Sequence, residues 1–155
     1  MPTRPALATS LFLTALNLGL GFSHILQAGP KLEWPGALWR TAMETLYRNY
    51  ALVGGVVEIG SILAAWLVAF LLRRDRPARG WALASAVLLT LGFLVVWVGF
   101  VAPLNAIFAT WTPATVPPDW HGPARAWEVW HAVKFGVTTL AFLALTMAVL
   151  ADRPR

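Results

Sequence analysis

Four apolar stretches, Ala6 to Gln27, Ala51 to Leu72, Trp81 to Leu104 and Val129 to Ala151, restrict what this chain can become more than any other feature. Each is long enough to cross a hydrocarbon layer as a helix, which takes about 20 apolar residues. Inside lipid only helices and closed barrels satisfy their own backbone groups, and none of the four shows the alternation of a barrel strand. The expected fold is all-α: a four-helix transmembrane bundle forming one integral membrane domain over residues 1–155. Composition agrees, with 58% hydrophobic and 12% charged residues against about 45–50% and about 25% in soluble domains.

The formal charge is +5, and its distribution speaks of topology. Arg73, Arg74, Arg76 and Arg79 lie between the second and third runs, where cytoplasmic charges belong. Arg4 at one end and Arg153 and Arg155 at the other place both termini in the cytoplasm as well, and the first and third loops outside. The expected location is a bacterial inner membrane, with the lipid bilayer as partner. Nucleic acid is not expected, because no basic face is interleaved with stacking aromatics. The absence of cysteine excludes disulfides, thiolate nucleophiles, iron–sulfur clusters and cysteine-bound zinc. The first run is read as a retained helix: a signal peptide cut after Ala28 would need a small residue where Leu26 stands.

Thr14, Asn17, Gly21 and His24 share one face of the first helix, and Gln27 and Lys31 continue it. Between Ala28 and Tyr50 a loop with Pro30, Pro35 and Gly36 is followed by an amphipathic segment, read as an extension of the second span. That extension would align Glu44, Arg48, Ala51, Gly55, Glu58 and Ser61, carrying Glu58 into the membrane, where it needs a partner or a proton. The third helix, ending near Pro103, is read as packing. The tryptophans at 34, 39, 111, 120, 127 and 130 read first as interface anchors, with one or two walling a pocket. The fourth helix is expected to start with Asp119 as N-cap or Pro123 as first residue. Gly54, Gly55 and Gly60 would allow packing between copies in a homo-oligomer.

Arg125, Glu128, His131 and Lys134 recur every three residues and form one drifting stripe on the fourth helix. Counted from the cytoplasmic ends, His24 lies about 27 Å up its helix, Glu58 about 21 Å, Lys134 about 26 Å and His131 about 30 Å. These levels predict one polar pocket in the outer half of the membrane, built by the first, second and fourth spans. Three chemistries fit it. A metal could be held by His24, Glu58, Glu128 and His131, since Glu128 and His131 form Glu-x-x-His. Lys134 opposes a cation there, and haem between His24 and His131 is the lesser variant. Metal-free acid–base work by an imidazole beside a Lys134–Glu58 pair is the second. A purely structural ion-pair network is the third.

The stretches FSHILQAGPKL, YRNYALVGGVVEIG and PLNAIFATWTPATVPPDWHGPARAWEVWHAVKF resemble a family of small four-span membrane proteins of unknown function, often described as anthrone-oxygenase-like. The family pattern falls here on His24, Gln27, Asn105, Trp111, Asp119, Trp120, Arg125, Trp127, Glu128 and His131. Gln27 departs from relatives that carry Glu. The resemblance implies oxidation of a lipophilic polycyclic phenol by molecular oxygen. The candidate catalytic residues are then His24, Glu58, Arg125, Glu128, His131 and Lys134, with Asn17, Gln27, Asn105, Trp97 and Trp127 as substrate contacts. His131 or His24 is base or ligand, and Arg125 and Asn105 donate to a developing oxyanion. His121, in the spacer, is read as a surface residue. The competing reading is a non-enzymatic membrane module: a lipophile-binding protein, an accessory subunit or a proton-linked transporter.

Overall fold

The structure, a computed structural model, describes residues 3–152; Arg153, Arg155 and the side chain of Arg76 lie outside that description. Among the described residues the regular elements are all helices, joined by turns and loops. These are α1 (Thr3–Leu32), α2 (Gly36–Thr45), α3 (Tyr50–Leu71), α4 (Arg76–Leu91), a π-helical segment (Gly92–Val101), α5 (Ala102–Ala109) and α6 (His121–Ala151). Four continuous helices, Thr3–Leu32, Tyr50–Leu71, Pro77–Ala109 and His121–Ala151, are long and apolar enough to span a membrane. Their outer faces carry large apolar side chains such as Phe12, Leu52, Leu63 and Leu150, as lipid contact requires. The protein is therefore read as integral to a membrane.

The bundle is sealed at one end by small residues. Ala78, Ala82 and Ala86 of α4 are fully enclosed, as are Ala141, Leu145 and Ala148 of α6, and Val68 and Ala69 of α3 complete that packing. Alanine at four-residue spacing lets helix backbones approach closely, which drives association where no water is present to be excluded. Asp75 caps α4 by accepting from the Ala78 amide at 3.4 Å, with Pro77 in the first turn where no hydrogen bond is lost.

The opposite end is covered by aromatic side chains. Trp39, Trp120, Trp127, Tyr47, Phe108 and Val101 form a second core beneath α2 and the 110–120 loop. Trp39, Trp120 and Trp127 are buried there at 0%, 5% and 3% exposure, so they are not interface anchors but the packing of a cap.

Several boundaries differ from expectation. α1 runs through Pro30 to Leu32 instead of stopping at Gln27, and the extra turn carries Lys31 inward. The amphipathic segment is a separate helix, α2, divided from α3 by a turn over 46–49, so Glu44 does not share a face with Glu58. Glu44 instead pairs with Arg40 at 3.1 Å. The third span passes Pro103 and reaches Ala109 because its winding loosens beforehand. In an α-helix the Pro103 ring would strike the carbonyl four residues back; here the Ala102 amide bonds Trp97 O, five back, and the helix resumes past the proline. α6 starts at His121, with neither Asp119 as cap nor Pro123 as first residue. Pro123 is then third, still among the amides with no intrahelical partner. Gly54 and Gly60 face α1 of the same chain, against Leu20 and Leu13, so these two serve packing within the chain rather than between copies.

Candidate functional site

Between the sealed end and the aromatic cap lies a cavity of about 550 Å³. Asn17, Gly21 and His24 reach it from α1, Gly55 and Glu58 from α3, and Trp127, His131 and Lys134 from α6. The third span supplies Phe93, Trp97, Asn105 and Phe108, which makes it a wall rather than packing alone. α2 roofs the cavity through Arg40 and Met43. The Arg40 Nε donates to Trp111 O at 2.8 Å, which ties the roof to the 110–120 loop.

At the base of the cavity Lys134 of α6 forms an ion pair with Glu58 of α3 and donates to Asn17 Oδ1 of α1 at 3.5 Å. The Asn17 amide donates in turn to Ser61 Oγ at 3.5 Å. One lysine thus joins three spans. Glu58 is 6% exposed, and the ammonium is what makes a carboxylate tolerable at that depth.

Above this pair the rings of His24 and His131 lie 4.2 Å apart. The His131 Nδ1 is 2.9 Å from Trp127 O. A carbonyl only accepts, so Nδ1 carries the proton, and in the neutral ring Nε2 holds the free lone pair. The Nδ1 of His24 is buried with no hydrogen-bond partner among the described residues. Trp127 stacks obliquely on His131 at 4.0 Å and donates from Nε1 to Asn105 Oδ1 at 2.7 Å. That bond orients the Asn105 amide nitrogen as a remaining donor.

A second buried pair lies nearer the cap. Lys31 and Glu128, 2% and 5% exposed, approach to 2.8 Å. The Lys31 ammonium also donates to Tyr47 Oη at 2.9 Å and sits 4.6 Å from the Tyr47 ring centre and 5.1 Å from that of Trp127. Tyr47 Oη donates onward to Gln27 Oε1. Burial pushes the Tyr47 phenol above its ordinary value, and the Glu128 carboxylate pushes it further, so the group stays protonated and keeps that bond. Lys31 and Tyr47 were not among the candidate site residues. Lys31 was the visible one, at the end of the polar face of the first helix, while Tyr47 depends on how α2 folds back.

Most of the expected residues converge: His24, Glu58, His131 and Lys134 line the cavity with Asn17, Asn105, Trp97 and Trp127. Arg125 does not. It is exposed on α6 and outside the cavity lining, because the stripe drifts round the helix and leaves its first member outside. Glu128 and Gln27 belong to the Lys31 network rather than the cavity wall. His121 is exposed, with its ring against Trp120 at 4.0 Å.

The donor set does not fit a metal as arranged. Among the described residues no three His, Asp or Glu side chains are grouped as ligands. Each carboxylate a cation would require already carries an ammonium. Two axial imidazoles of a haem stand on opposite faces of the porphyrin, whereas His24 and His131 lie against each other.

Comparison with protein-family models, with curated proteins and with solved structures gave no match to this chain.

Proposed function

We propose that the protein is a membrane oxidoreductase that oxidises a small lipophilic, phenol-like polycyclic substrate with molecular oxygen. The observation that carries this reading is the His131 imidazole, tied by Nδ1 to Trp127 O with Nε2 free, beside His24 in a largely apolar cavity. For an anthrone-like substrate, Nε2 removes a proton from the ring methylene and the carbonyl becomes a phenolate-type oxyanion. Lys134 and the Asn105 amide are the nearby donors that stabilise it. Oxygen then takes an electron from the anion and the superoxide recombines at the same carbon as a peroxide anion, which takes back the proton held on His131 Nε2 to give a hydroperoxide. Loss of water leaves a new carbonyl, so anthrone and O₂ become anthraquinone and H₂O.

By the positive-inside rule the arginine-rich turn after α3 belongs in the cytoplasm, which directs the cavity toward the outer face. In proteoliposomes supplied with anthrone, wild-type protein is expected to consume oxygen, and His131→Ala to lose at least about 100-fold in rate, the usual lower range for a general base. His121→Ala should match wild type. Equal turnover in the two variants would sink the assignment. Saturable anthrone binding without oxygen consumption would point to the lipophile-binding module instead.

A further inference from the structure

Five residues line the cavity and are nonetheless exposed: Ala51, Gly55 and Ile59 of α3, and Asn105 and Ala109 of α5. On each helix they recur every four residues, so each set forms one line along its axis. The α3 line extends about 12 Å at about 1.5 Å per residue. Both lines belong to membrane-spanning helices. α3 packs mainly against α1 and α4, and α5, which continues the π segment, leans on α6; among the described residues α3 and α5 form no packed pair, so the two lines are the lips of a slot rather than a packed seam. Further along the same helices, outside the cavity lining, Trp66 Nε1 donates to Thr90 Oγ1 at 3.1 Å and joins α3 to α4. Two residues beyond Thr90 the third span changes to π winding. Along the α3 lip, a Cβ added at Gly55 would meet no atom within 4 Å.

We propose that this slot is a lateral portal, through which a flat, neutral aromatic molecule dissolved in the bilayer reaches the two histidines without crossing water. The shape follows from the wall, where Phe93 and Trp97 present stacked rings with centroids 5.6 Å apart and planes within 11°. Neutrality follows from the charges at the cavity, since Lys134 is matched by Glu58 and Arg40 by Glu44. A charged ligand would find no free countercharge there and would partition poorly into the hydrocarbon that feeds the slot. The inference rests on the cavity being the substrate site, but the route stands or falls separately from the oxidation.

The cysteine-free chain permits a direct test. A nitroxide attached at Gly55→Cys in phosphatidylcholine and phosphatidylglycerol vesicles is expected to be relaxed strongly by oxygen and weakly by a water-soluble nickel chelate. It should resemble a label at the lipid-facing Leu94→Cys and differ from one at Ala114→Cys in the 110–120 loop. Nickel accessibility equal to that of the loop label overturns the proposal. Joining Ala51→Cys to Ala109→Cys with a short reducible bis-thiosulfonate reagent should slow uptake of 1,8-dihydroxyanthraquinone from the bilayer, read by tryptophan quenching, at least tenfold. Reduction should restore it. Unchanged uptake in the linked protein overturns the route, as does a phospholipid acyl chain that the anthraquinone cannot displace. Uptake through an open slot without oxygen consumption supports the portal while removing the oxygenase reading.

Discussion

Lys31 and Glu128 are both almost fully enclosed, so deleting either partner strands the charge of the other in an apolar setting. Lys31→Met is expected to destabilise the protein by about 3–5 kcal/mol, the usual cost of an orphaned buried charge. Lys31→Met combined with Glu128→Gln should recover most of that loss, because no ion remains to be solvated. Unfolding in detergent, followed by tryptophan emission, measures both; a double variant as weak as the single would show that the pair contributes by packing. Arg125 belongs at the other extreme. It is exposed and outside the cavity lining, so Arg125→Ala should leave stability within about 0.5 kcal/mol of wild type and oxygen uptake unchanged. Sequence spacing placed Arg125, Glu128, His131 and Lys134 on one stripe, yet a three-residue step falls short of a full helical turn. Only the last two members reach the cavity wall.

The position of α2 is set by a close approach. A Cβ on Gly36 would stand 2.8 Å from Val116 Cγ1 and 2.9 Å from Trp120 Nε1, so the start of α2 touches the 110–120 loop with no room to spare. Gly36→Ala is expected to cost about 1–3 kcal/mol, as overpacking does, and to loosen the roof over the cavity. Faster amide exchange in α2, with α6 unaffected, would be the sign; unchanged exchange would mean the loop yields freely. The third span makes a related point about winding. A proline eight residues after Val95 and six after Trp97 reads as an end to the helix, and it would be one in α winding. The structure instead takes up an i→i+5 bond just before Pro103 and carries on. Nothing local in an apolar run distinguishes these outcomes, since the deciding term is how the π segment and α5 pack on α6.

At the scale of the molecule, the bundle is asymmetric along its length. The end near the arginine-rich turn is closed by alanines, and the far end is capped by tryptophan, tyrosine and phenylalanine rings. Filling the closed end should be costly: Ala86→Leu places a branched side chain where Ala86 has 0% exposure, between α3 and α6 neighbours, and should lose about 1–3 kcal/mol. Ala109→Leu, at the exposed lip of the slot, should cost much less. Comparing the two by unfolding midpoint tests whether the small-residue seam or the general apolarity of the spans holds the helices together; equal losses would favour the latter.

Sequence alone determined that the chain builds four membrane-length helices and pointed His24, Glu58, His131 and Lys134 toward one cavity, for a physical reason: apolar run length and helical rise are local quantities, and lipid tolerates ionisable groups only where they find partners. The Lys134–Glu58 pair was legible in the spacing as well, but the second pair, Lys31 with Glu128, was not. Lys134 takes Glu58, while the extra turn of α1 past Pro30 delivers Lys31 to Glu128 and Tyr47. The tryptophans at 39, 111, 120, 127 and 130 likewise became one cap, three buried and two packed against them, only once α2 folded over that end. Pairing, capping and the slot between α3 and α5 depend on how far each helix runs and against what it leans, and those distances exist only in the assembled bundle.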